Sequence, residues 1–151
     1  MGRKNRKLEN CPMVCNEDTL NEALELYKKN DEIKEATKNA SMVEAMGYIK
    51  WPRLKDTIKY AKLMGHKTIG LAFCIGLLDE AKKVADILKK YGLAVVSVCC
   101  KTGGLKKVDI GVPKEFTMVS KTGYAIGYTT CNPVAQALLL NKAKTDMNLI
   151  I

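Results

Sequence analysis

The spacing of hydrophobic positions changes character part-way along the chain. Over residues 17–30, Leu20, Ala23, Leu24 and Tyr27 recur at i, i+3, i+4 and i+7, which predicts an amphipathic helix with Asp18 as its cap. Residues 31–46 repeat the period through Ile33, Ala36, Ala40 and Val43, with Asn30 or Asp31 as the start signal and Gly47 as the stop. A third helix opens at Trp51-Pro52, where proline suits a first turn, carries Leu54, Ile58, Ala61 and Met64 as its buried stripe, and stops at Gly65. The next stretch, TIGLAFCIGL over residues 68–77, is nearly continuously apolar, as expected of a central parallel strand covered on both faces. Helical period returns over residues 79–91 through Ala81, Val84, Ala85, Leu88 and Tyr91, and Gly92 leads into a second apolar run, LAVVSV, over residues 93–98. Together these form a βαβ unit, whose crossover is right-handed by default.

From Cys100 to Thr130 glycine, lysine and threonine dominate, and the segment reads as one long functional loop. Asn132-Pro133 is a start signal for a helix running to about Lys144, with Val134, Ala137, Leu138 and Asn141 on one face. NLII at residues 148–151 closes the chain as a third short strand. The predicted fold class is α/β: a Rossmann-like three-layer arrangement with a small parallel sheet and a helical N-terminal part packed on it. A single domain is expected over residues 1–151, divided into a basic flexible tail (1–10), a helical part (17–65) and a parallel-sheet part (66–151).

A chain of 151 residues is long enough to bury a core without staples, and 47% hydrophobic with 27% charged residues excludes a disordered chain. Two Phe and one Trp make that core aliphatic. The 25 Lys and Arg against 16 Asp and Glu give a net charge of +9, which attracts anions nonspecifically. Much of it lies on helix faces, as with Lys82, Lys83, Lys89 and Lys90, and in a terminal cluster of Arg3, Lys4, Arg6 and Lys7. No aromatic RNA-binding pair or zinc-finger His pair accompanies it, so nucleic acid ranks as an unlikely partner. The apolar runs are too short to span a bilayer, and no membrane partner is expected. The expected location is the cytoplasm, where thiols stay reduced, so six cysteines point to metal binding or thiol chemistry instead of disulfides.

Those cysteines converge by topology. Cys74 falls late in the first strand, Cys99 and Cys100 follow the second, and Cys131 precedes the helix leading to the third; in a parallel sheet this is one edge, where open α/β sheets bind their ligands. Thiolates are soft ligands for iron–sulfur clusters and zinc, and a helix amino end favours the charged sulfur. Neighbours in an extended segment point to opposite sides, so one of Cys99 and Cys100 is expected to face the site and the other to pack. Cys74, Cys100 and Cys131 would then leave a coordination position open for substrate or water. Cys11 and Cys15, in CPMVC, are candidates for a separate zinc site or for completing the main one. Lys101-Thr102-Gly103-Gly104, with Asn132 beside the same edge, forms a candidate anion- or cofactor-binding loop. The single His66 lies in a turn at the opposite edge, which argues against a Cys-His catalytic pair.

The segments GLAFCIGL, VVSVCCKTGG and CNPVAQALLLN, in that order, with the earlier NCPM and GYIKWPR, resemble domain of unknown function family 1847 over residues 9–151. The resemblance implies an uncharacterised metal-binding protein of anaerobic bacteria or archaea, and its cysteines match Cys11, Cys74, Cys100 and Cys131. The family pattern continues past NLII into a glycine-rich segment with a further Cys and a His-Asp pair, whereas this chain stops at Ile151 and would be a shortened or divergent member. Residues 117–130 also depart from the pattern, on the substrate side. The leading function is therefore a cysteine-ligated iron–sulfur or zinc centre for redox or sulfur chemistry, acting on a small or sulfur-containing substrate. A metal-free thiol or persulfide module centred on Cys131, and a basic nucleic-acid- or partner-binding domain, are the alternatives. The end strand also leaves a homodimer open, and whether the protein is an enzyme is left undecided.

Overall fold

The structure, a computed structural model, describes residues 10–117 and 127–151. The basic cluster at the start and the centre of the 117–130 segment lie outside the described residues. The chain divides into two compact units, Met1–Trp51 and Pro52–Ile151.

The first unit is helical: α1 (Pro12–Cys15), α2 (Glu17–Lys29) and α3 (Asp31–Gly47). The turn α1 has no counterpart in the sequence reading and arises because Pro12 occupies a first helical position after Cys11. Asn16, not Asp18, flanks the start of α2; Asp18 sits in the first turn, where its charge complements the helix amino end. Asn30 caps α3 as expected, accepting from the Ile33 N–H at 3.0 Å. Of the inner face predicted for α3, Val43 is buried and Ile33 and Ala36 are half-buried, and only Ala40 departs from it. Asn39 is buried in place of the exposed Ala40, its amide donating to Glu35 Oε1 at 3.0 Å, which satisfies the polar group that the hydrophobic pattern skipped. The apolar stripe of α2 is also more open than its periodicity suggests, with Leu20, Leu24 and Tyr27 all exposed.

The second unit holds α4 (Arg53–Leu63), β1 (Thr68–Phe73), α5 (Leu78–Lys90), β2 (Ala94–Cys99), a short antiparallel ribbon of β3 (Leu105–Lys106) and β4 (Thr129–Thr130), α6 (Pro133–Lys142) and β5 (Met147–Ile150). The sheet order is β2-β1-β5 and both pairings are parallel, so β1 is central and its residues Ile69–Phe73 are buried. Ile69, Leu71 and Phe73 face α4 and α5 through Ile58, Ala61, Ala81 and Leu88, whereas Ala72 faces α6 through Leu140, with Val98 of β2 beside it. Helices thus cover both faces of a small parallel sheet, the α/β layering expected. Gly70 permits the close approach on the α6 side: a Cβ there would collide with the side chain of Asn148 and meet Leu140.

Three boundaries differ from the sequence reading. The apolar run at residues 68–77 is not one strand; β1 ends at Phe73, and a single 3-10 turn, Ile75–Leu77, leads directly into α5. Apolar composition cannot separate the end of a buried strand from the inner face of the turn that follows it. The presumed long loop contains the β3–β4 ribbon, which pairs Leu105 with Thr130. The buried face of α6 is not that of Val134, Ala137, Leu138 and Asn141, all of which are exposed; Leu140 and the partly buried Gln136 and Ala135 turn inward. Because α6 is apolar nearly all round, periodicity carries little information about its orientation. Among the described residues no helix is long and apolar enough to cross a membrane.

Candidate functional site

At the carboxyl edge of the sheet, Cys74, Cys100 and Cys131 line one cavity of about 210 Å³. Its walls are completed by Ala72 and Phe73 of β1, Gln136 of α6, and Ile150 and Ile151 at the end of the chain. Each cysteine arrives on a different segment, and the backbone holds each in place. The Cys74 N–H donates to the Ile151 carbonyl at 2.8 Å and the Ile151 N–H to the Ala72 carbonyl at 3.0 Å, extending the β1–β5 ladder past the strand end. The Cys100 N–H donates to the Phe73 carbonyl at 2.8 Å, and the Asn132 N–H to the Cys100 carbonyl at 2.7 Å, which docks the start of α6 beside Cys100. Asn132 caps α6 by accepting from the Ala135 N–H at 3.0 Å.

The paired cysteines separate as the alternation of an extended segment requires. Cys99 closes β2 on the α5 side, packed with the cluster of Leu71, Phe73 and Ala81, and its sulfur accepts from the Lys101 N–H at 3.5 Å. Cys100 lies among the cavity walls, 7% exposed, and its sulfur accepts from the Ile75 N–H at 3.3 Å. Cys74 and Cys131 are exposed. None of the six cysteines is in a disulfide. Cys11 and Cys15 belong to the other unit, where Cys11 precedes α1 and its carbonyl accepts from the N–H groups of Val14 and Cys15.

Two side chains of the candidate anion loop bond within the chain. Lys101 Nζ donates to the Thr129 carbonyl at 2.8 Å, tying the loop to β4, and Asn132 Nδ2 reaches the Gly103 carbonyl at 3.4 Å, with Gly103 at φ 66°. At the opposite edge, Asp146 accepts from the N–H groups of Lys67 and Thr68, both at 2.8 Å, and these bonds hold its carboxyl below the usual range. His66 stands there too, its ring edge-on to Tyr60 at 6.3 Å.

The chain matches the family described as Protein of unknown function (DUF1847) over residues 11–151. It belongs to this family. An uncharacterized protein of Methanocaldococcus jannaschii is 41% identical over 147 residues, covering 97% of this chain and 72% of the relative. No solved structure matches. In this DUF1847 chain the matched residues include all six cysteines.

The donor set around the cavity is three soft sulfurs, the chemistry that suits zinc or iron–sulfur. Among the described residues, no three His, Cys, Asp or Glu side chains are gathered closely enough to hold one metal ion. A single zinc would require every thiolate at about 2.3 Å from one point. A cluster distributes its thiolates over several irons and tolerates wider spacing. Gln136 was not among the residues singled out from sequence. Its signal was modest: it is the one polar side chain within the run VAQALLL that follows Cys131, on a helix whose other neighbours need no partner.

Proposed function

We propose that the cavity is an iron–sulfur site, with Cys74, Cys100 and Cys131 each taking one iron and Cys99 left as a packing residue. The observation that carries this reading is the convergence of three thiols from three separate segments on one cavity of about 210 Å³, far larger than a single ion needs. A cluster held by three thiolates supplies electron transfer and one iron position open to a small substrate. The chain's own part is to hold the sulfurs. Cys100 is anchored by the Phe73 carbonyl and receives the Ile75 N–H, a bond to sulfur of the kind that tunes cluster potential, while Cys131 is placed by the Asn132–Cys100 backbone bond. Free thiols require a reducing compartment, and the cytoplasm meets that requirement.

The test is iron and acid-labile sulfide content of protein produced and purified without oxygen, alongside Cys74→Ser, Cys100→Ser, Cys131→Ser and Cys99→Ser. Iron with sulfide is expected in the parent chain and in Cys99→Ser, with loss in the other three. Zinc alone would replace the cluster by a single-ion site that draws the thiols inward. Absence of both metals after anaerobic reconstitution would overturn the proposal in favour of thiol chemistry at the exposed Cys131, which stands at the start of α6.

A further inference from the structure

Hydrogen-bonding groups around the cysteine cavity are unevenly matched. Two backbone donors are engaged with Cys100 of its wall: Ile75 N–H with the Cys100 sulfur and Asn132 N–H with the Cys100 carbonyl. Gln136 follows the same rule on one side only. Its Nε2 donates both hydrogens, to the Val98 carbonyl at 2.8 Å and the Phe73 carbonyl at 3.3 Å. This fixes the amide, because the flipped orientation would set Oε1 against two carbonyl oxygens. Oε1 therefore points away from those strand ends on a residue that lines the cavity, accepts no bond from a described residue, and is not sealed from solvent.

We infer that Gln136 makes this cavity a receptor for a small uncharged or cationic ligand that presents an N–H, O–H or S–H donor, and not for a carboxylate or phosphate. An oriented carbonyl oxygen attracts a donor and repels an anion, and the surrounding Ala72, Phe73, Ile150 and Ile151 side chains offer no charge to offset that repulsion. The inference takes the cavity as a ligand site, as the proposed function does, but it does not depend on iron. Its test accordingly uses metal-free protein.

Pocket thiols report on what the cavity accepts. The reduced full-length chain is alkylated with iodoacetamide or with N,N-dimethyliodoacetamide, two uncharged reagents that differ in their N–H donors, and the rate at each cysteine is read by peptide mass spectrometry. Free glutathione serves as the reference for the ratio of the two reagents. The ratio of the two rates at Cys74 and Cys131 is expected to exceed the reference ratio by about threefold to tenfold, the range of one neutral hydrogen bond. Gln136→Met should reduce it to the reference value. Gln136→Lys, which keeps a donor for the Val98 and Phe73 carbonyls while removing the acceptor, should do the same and decides the matter if the Met variant misfolds. Equal ratios at all cysteines in the parent chain, or a pocket ratio unchanged in Gln136→Lys, would overturn the inference. Iron content fails or survives independently of either result.

Discussion

Two adjacent cysteines have different surroundings, and the contrast sets the first expectation. Cys99 packs on the α5 side of the sheet, whereas Cys100 lines the cavity with its sulfur bonded to a backbone N–H. Cys99→Ala should therefore lower stability modestly, as removal of one small half-buried group does, and leave the reactivity of Cys74 and Cys131 unchanged, whereas Cys100→Ala should alter that reactivity; thiol alkylation rates compare the two. The central strand gives a larger effect. Leu71 is fully buried between β1's neighbours and α5, so Leu71→Ala is expected to cost about 2–5 kcal/mol in denaturant unfolding. Asp146 supplies a pH dependence with a definite sign. Its pKa is lowered in the folded chain by the Thr68 and Lys67 N–H groups, so the folded state holds fewer protons than the unfolded state in the acid range. The stabilisation is complete above the unfolded carboxylate value of about 3.9 and is lost as pH falls through the lower folded value. Melting temperatures of the parent chain and Asp146→Asn, measured between neutral and acidic pH, should converge at the acid end; a constant gap would show that the two bonds do not act through charge.

Among the elements, those with a clean period were legible before any coordinates. Leu54, Ile58 and Ala61 of α4, and Ala81 and Leu88 of α5, face the core as their spacing requires, because each helix has one apolar and one charged face. The inner face of α6 was misread because its sequence is apolar on every side, and what orients it is polar: the Gln136 bonds to β1 and β2 and the Asn132 cap. The end of β1 was misplaced for a related reason, since Cys74 to Leu77 continue the apolar run through a 3-10 turn. This reading of α6 can be checked on the helix itself. Asn132→Ala removes the cap and is expected to cost about 1 kcal/mol, while Val134→Ala, on the exposed face, should cost much less; the face predicted from sequence would require the reverse ranking in urea unfolding. Gly70→Ala probes the packing beneath α6, where a Cβ meets Asn148 and Leu140, and a loss of about 1–3 kcal/mol is expected.

For the molecule as a whole, convergence of Cys74, Cys100 and Cys131 followed from topology alone: ends of parallel strands and starts of the helices after them share one edge, wherever the residues lie in sequence. Gln136 and the Ile150–Ile151 wall were not legible, because a lone glutamine in an apolar helix and two terminal isoleucines acquire meaning only when placed against the strand ends. All of these residues, the three-stranded sheet and the helices on its two faces lie within Pro52–Ile151. The core clusters of buried residues are likewise drawn from this unit. A domain of about this size commonly folds alone when its core is its own. Residues 52–151 produced without the first unit should therefore unfold in one cooperative transition and keep the same order of reactivity among Cys74, Cys100 and Cys131 as the full chain, as judged by circular dichroism and alkylation. Retained cooperativity with an altered thiol order would assign Met1–Trp51 a part in the site; loss of the transition would make that helical unit necessary for the sheet.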